Sequence, residues 1–69
     1  MLLTEKQREI VVALANGQSV PKISKQTGLA KTAIDSRIIT ARKALGARTQ
    51  AHLIALAVKH GDLTKEDIK

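Results

Sequence analysis

Apolar residues recur along this chain at helical spacing, in four stretches that each close on a glycine: Asn16-Gly17, Thr27-Gly28, Leu45-Gly46 and His60-Gly61. Glycine reaches the left-handed conformation that ends helices, so each pair reads as a stop. The most regular stretch carries Ile34, Ile38, Ala41 and Leu45 at spacings of four, three and four, which stacks them on one helical face. A helix over about Lys31 to Leu45 with that face turned to the core is predicted. The opposite side carries Thr32, Ser36, Ile39, Thr40 and Lys43, flanked by Asp35, Arg37 and Arg42. Short hydroxyls and an isoleucine are an unusual choice for a merely solvated face, and this one looks built to touch something.

The remaining elements follow from local chemistry. Thr4 and Gln7 fit a capping box, with Leu3 placed to staple onto the first turn and Ile10, Val11 and Leu14 as a buried stripe, which predicts a first helix over about Glu5 to Ala15. Ser19 is a natural cap for a short second helix, with Pro21 tolerated in its first turn; it runs to about Gln26 and should bury Val20, Ile23 and the stem of Gln26 or Thr27. Gly28 then turns the chain, with Leu29 packed beneath, into the long helix. A short helix, a tight glycine turn and a longer helix make Val20 to Gly46 a helix-turn-helix unit.

Thr49 is placed to cap a fourth helix ending at about Lys59 or His60. Leu53, Leu56 and Ala57 form one stripe on it, and Ala51, Ile54 and Val58 a second about a third of a turn away. That is more apolar circumference than one interface uses, so the second stripe is expected to contact another subunit, a two-fold dimer being the commonest closed arrangement. Alternatively it covers the edge of the core. The expected architecture is an all-α, compact four-helix domain over residues 1–63, with a central helix-turn-helix and the fourth helix as dimerisation helix. Thr64 to Lys69 is a short polar C-terminal tail that either adds a turn or frays.

At 69 residues the chain is one domain near the lower limit for a core unaided by cross-links. It contains no cysteine, and its two histidines, His52 and His60, have no carboxylate, serine or glycine-rich loop arranged around them. No cofactor, metal centre or catalytic constellation is expected. Aromatic residues are absent, which removes the stacking platforms of single-strand and RNA modules and favours duplex DNA if the partner is a nucleic acid. Apolar runs are too short for a signal peptide or membrane span, so a soluble, cytoplasmic protein is expected.

Charge sharpens this picture. Between Pro21 and Arg48 the chain holds Lys22, Lys25, Lys31, Arg37, Arg42, Lys43 and Arg48 against Asp35 alone, whereas the rest carries five bases and five acids. The whole net charge of +6 therefore lies in the central unit, as an electrostatic footprint on phosphates would require.

The opening LTEKQREIVVALANGQS, then KIS and TGLA, then RKALGAR and the capped TQAHLIALAVKHG together resemble the LuxR/GerE-type helix-turn-helix domain of bacterial transcription regulators. The likeness spans about Leu3 to Leu63 and rests on Leu3-Thr4 with Glu9, Gly17, Ile23, Gly28, Leu45-Gly46 and Arg48. It implies a third helix in the major groove, with base contacts carried over to Asp35, Ser36, Ile39 and Thr40. Backbone contacts would come from Lys22, Lys31, Thr32, Arg37, Lys43 and Arg48, and dimerisation from the fourth helix, here Ala51, Ile54 and Val58.

The chain departs from the family pattern at Ala30, where a polar cap is usual, at Pro21, Thr27 and Ala33, and at Asp35, commonly lysine. An acid there either accepts from a cytosine amino group or pairs with Lys31 one turn earlier. Ile39 either packs on thymine methyl groups or belongs to a protein-binding patch.

The expected function is sequence-specific duplex DNA binding by a homodimeric transcription regulator, either a stand-alone protein or the output domain of a larger one. The alternative is a protein-binding antagonist that uses the same fold to pair with a LuxR-type regulator or another macromolecule. A sigma-factor promoter-reading region shares the early pattern but generally lacks the capped helix after Gly46, and an enzyme is the remotest reading.

Overall fold

The computed structural model describes residues 2–69; Met1, the first residue of the expected domain, lies outside the described residues. The described chain is all-helical: α1 (Glu5–Ala15), α2 (Val20–Thr27), α3 (Lys31–Leu45) and α4 (Gln50–Lys59), followed by a single 3-10 turn at Lys65–Asp67. Each boundary has a local cause. Thr4 and Gln7 form the full capping box, the Thr4 hydroxyl accepting from Gln7 N–H at 3.2 Å and Gln7 Oε1 from Thr4 N–H at 2.9 Å. Ser19 and Thr49 cap α2 and α4 through bonds from Lys22 N–H and His52 N–H. Gly28 (φ 76°) and Gly46 (φ 70°) bracket α3 in the left-handed region, which side chains with a Cβ enter only under strain.

α3 is the central element, packing against α1, α2 and α4. Its inner stripe, Ile34, Ile38, Ala41 and Leu45, is buried together with Leu3, Ile10, Val11, Leu14, Ile23, Leu53, Ala57 and Leu63. Leu29 and Leu56 lie half-buried against this core, as does Ile54. One expected contribution differs. Gln26 and Thr27 are exposed, because the Thr27 hydroxyl donates back to Ile23 C=O at 2.7 Å and accepts from Leu29 N–H, which turns it to the helix rim while Leu29 fills the space below.

Polar contacts close the ends of the chain on one another. Asp62, 1% exposed, accepts from Leu2 N–H at 2.8 Å and Leu3 N–H at 3.0 Å through Oδ1. Arg8 of α1 donates from Nε to the Asp62 carbonyl and from Nη2 to Asp67 Oδ1, both across the same junction. Asn16 donates to Asp67 C=O at 2.8 Å and accepts from Lys69 N–H at 2.6 Å. The tail is therefore folded back along α1 and adds a turn instead of fraying.

Asp67 is held below the ordinary aspartate range, first by the Thr64 backbone N–H, opposed by partial desolvation, then by the Thr64 hydroxyl and the Arg8 guanidinium. Because its folded value is depressed, its contribution to tail docking is present above the unfolded value and is lost as pH falls through the folded one. Docking should loosen only below about pH 4. An NMR titration of the Thr64 amide should report that low midpoint; an ordinary aspartate midpoint would refute the network.

The Asp62 clamp makes a stability prediction. Asp62→Ala leaves the buried Leu3 N–H without its acceptor and should cost about 2–3 kcal/mol in urea unfolding, whereas Asp62→Asn keeps an acceptor oxygen and should cost less. Equal stability of wild type and the alanine variant would show that Asp62 does not hold the N-terminus.

Candidate nucleic-acid interface

With its inner stripe buried, α3 has one free side. Thr32, Asp35, Ser36, Ile39, Thr40 and Lys43 are all exposed on it, and Arg37 is half-buried. The spacing is orderly. Thr32, Ser36 and Thr40 follow one another at i, i+4, and Asp35 and Ile39 form the neighbouring row, with Arg42 a further three residues along. Ile39 is 49% exposed, a large apolar group held in solvent by the same helical register that buries Ile38.

The basic side chains around this side are free of carboxylates. Among the described residues the ion pair is Arg8–Asp67, at the junction of the chain ends, so Lys22, Lys31, Arg37, Lys43 and Arg48 carry unneutralised charge. Asp35 is likewise outside any ion pair among the described residues, so of its two alternatives the surface pair with Lys31 is not formed. Lys31 and Thr32 begin α3 itself, whereas Lys22 stands on α2 and is not joined to the α3 side by any hydrogen bond.

Arg48 is fixed in place by the loop that carries it. Its carbonyl accepts from the Arg42 guanidinium, and its N–H donates to His52 Nδ1 at 3.0 Å. This ties the end of α3 to the start of α4 and leaves the Arg48 side chain exposed. It also gives His52 a capping role that needs its Nδ1 unprotonated. Ile39, Arg42, Lys43, Gly46 and Ala47 line a shallow depression at this end.

At the other end α3 starts without a side-chain cap. Ala30 has the extended backbone of a cap residue (φ −62°, ψ 148°) but no hydroxyl or carboxylate to offer. Ala33 N–H donates to Ala30 C=O at 3.0 Å, and the first turn, begun by Lys31 and Thr32, has no side-chain acceptor at the positive end of the helix dipole.

One contact on this side was not legible beforehand. Gln7 of α1 donates from Nε2 to the Thr40 hydroxyl at 3.2 Å, and Thr40 in turn donates to the Arg37 carbonyl at 3.0 Å. Thr40 therefore borders α1, at the edge of the outward side and not at its centre. The capping box marked Gln7 as a helix-start residue, but no sequence pattern links it to a residue 33 positions away.

The expected dimer stripe lies on a different element and divides. Ala51 and Val58 are exposed, Val58 at 47%, whereas Ile54 packs half-buried on the core edge. Among the described residues there is no group of three or more histidine, cysteine, aspartate or glutamate side chains that could hold a metal, and no helix long and apolar enough to cross a membrane. No protein-family model matches the chain, and neither a curated protein nor a solved structure matches it.

The open start of α3 can be tested by closing it. Ala30→Ser places a hydroxyl where it can accept from Ala33 N–H and should raise stability by about 1 kcal/mol in thermal or urea unfolding. No gain would mean that the Ala30 backbone does not hold a cap geometry in solution.

Proposed function

We propose that the chain is a sequence-specific duplex-DNA-binding transcription regulator of the LuxR/GerE type, reading the major groove with α3 and acting as a homodimer through α4. The observation that carries this reading is the outward side of α3. A buried inner stripe fixes it, hydroxyls run along it from Thr32 through Ser36 to Thr40 at its α1 edge, and basic side chains outside any ion pair accompany them. Lys43, Lys31, Arg37, Arg48 and Lys22 supply phosphate neutralisation, together with Thr32 at the open helix start. Ser36, Ile39, Thr40 and Asp35 supply base contacts: hydroxyls to either donors or acceptors, isoleucine to a thymine methyl, and the carboxylate to a cytosine amino group. The exposed Ala51 and Val58, with Ile54 between them, are the surface on which a second copy pairs.

Protein binding is the second reading, and Ile39 and Asp35 favour it. An exposed isoleucine beside an unpaired acid and a shallow depression suits a LuxR-type regulator or another macromolecule as well as it suits a base pair. Under that reading the chain is an antagonist that occupies its partner.

Selection from a random duplex library, with salt dependence and stoichiometry recorded, separates the two. A symmetric motif bound by two chains, with half-sites about 34 Å apart or a multiple of it, is expected for the regulator. Lys43→Ala should then weaken binding to all DNA and lower the salt slope by about one, while Ser36 and Ile39 substitutions should change the preferred sequence. Equal losses on selected and random DNA for all three variants would remove the recognition role from α3. No enrichment at all would favour the antagonist.

A further inference from the structure

The amide of Gln7 is immobilised in an unusual way. Its Oε1 accepts from Thr4 N–H at 2.9 Å, which orients the group and aims Nε2 at α3, where it donates to the Thr40 hydroxyl at 3.2 Å. An amide nitrogen carries two N–H donors, and Thr40 takes one. The second has no partner among the described residues, on a side chain whose other contacts already hold it still and beside a residue on the outward side of α3. A donor fixed in this way loses little conformational entropy when an acceptor arrives.

Its position decides which acceptor. A helix with its side chains is about 10–12 Å across and the major groove is about 12 Å wide, so α3 alone fills the groove. A group lateral to α3, on the α1 side of Thr40, meets the wall of the groove, which is the sugar-phosphate strand. We propose that Gln7 is a phosphate-contacting residue supplied by α1, with the capping box as the device that holds its free N–H toward the strand; this rests on the DNA-binding reading above. The same bond to Thr40 ties Gln7 to α3, so that α1 and α3 engage the duplex as one surface.

Two substitutions separate this role from simple helix capping. Gln7→Glu keeps an oxygen for Thr4 N–H, and glutamate is a usual partner in a capping box, so α1 should remain stable; it removes the Nε2 donor and sets a negative charge in its place. Gln7→Met removes both the donor and the cap acceptor without adding charge. Affinity for the duplex selected above would be measured for each by fluorescence anisotropy, at a temperature where urea unfolding shows both variants fully folded.

The expected result is a loss of about tenfold or more for both, equal on selected and random DNA because a phosphate carries no sequence information. If Gln7 only caps α1, or the region responds only to added charge, the fully folded Gln7→Met binds as wild type and Gln7→Glu loses only what its charge costs. That outcome overturns the contact. Lys43→Ala distinguishes failure of this proposal from failure of the DNA reading: where wild type binds and Lys43→Ala weakens it but the Gln7 variants do not, the Gln7 contact alone falls. Where wild type binds no duplex, both fall together.

Discussion

The structure depends on the burial of one stripe of α3 against three other helices. With no aromatic residue and no cysteine, the core is built from aliphatic side chains alone, and it closes only if Ile34, Ile38, Ala41 and Leu45 all face inward. Ala41 is fully buried, and a larger group there would push a neighbouring helix away. This packing also fixes the rotation of α3. Turning the helix by one residue would bring Asp35 in for Ile34, Ile39 for Ile38 and Arg42 for Ala41, burying an acid and an arginine at a desolvation cost of several kcal/mol. The outward row of hydroxyls is therefore set by the core.

So small a core leaves little stability in hand, and the polar junction at the chain ends adds to it. Asp62, Arg8, Asn16 and Asp67 link the segment before α1, the length of α1 and the segment after α4 through bonds between residues 51 to 60 positions apart. Contacts of that span restrain the outer helices without using the α3 side. The acids and bases divide accordingly. The paired charges, Arg8 and Asp67, sit at the junction, whereas Lys31, Arg37 and Lys43 of α3 are in no ion pair.

What was readable from the chain was what is decided locally. Thr4, Ser19 and Thr49 cap helices through bonds reaching three residues ahead, and the glycine stops act within a turn, so the bounds of α1, α3 and α4 agree with expectation to within a residue. The α3 stripe was legible because periodicity is a property of neighbours. The tail was not, since its docking relies on single polar side chains that leave no periodic trace; Asp62 in particular looks like any surface acid after a glycine. Thr27 went astray for a related reason: its hydroxyl found a closer partner in Ile23 C=O than any burial could offer. The outward face of α3 followed from its inner one, while the bond from Gln7 to Thr40 needed the register of α1 on α3, which only packing decides.

The free side of α3 is not chemically uniform, and the difference bears on what it meets. The row of Thr32, Ser36 and Thr40, continued by Lys43, suits an anionic groove throughout. The neighbouring row does not: Asp35 is repelled by phosphates, and Ile39 gains nothing from them. A surface meant only to hold DNA by charge would do better with lysine at both positions. On the DNA reading, this second row therefore contributes discrimination, because Asp35 is tolerated opposite the donor of a cytosine amino group and disfavoured opposite acceptors such as guanine O6 and N7, and Ile39 is favoured opposite a thymine methyl. On the protein reading, the same two residues supply affinity, an apolar contact with an acid beside it. Asp35 thus separates the readings by sign: replacing it with lysine adds a charge attractive to every duplex, while it removes from a protein partner the one acidic feature this side of the molecule presents.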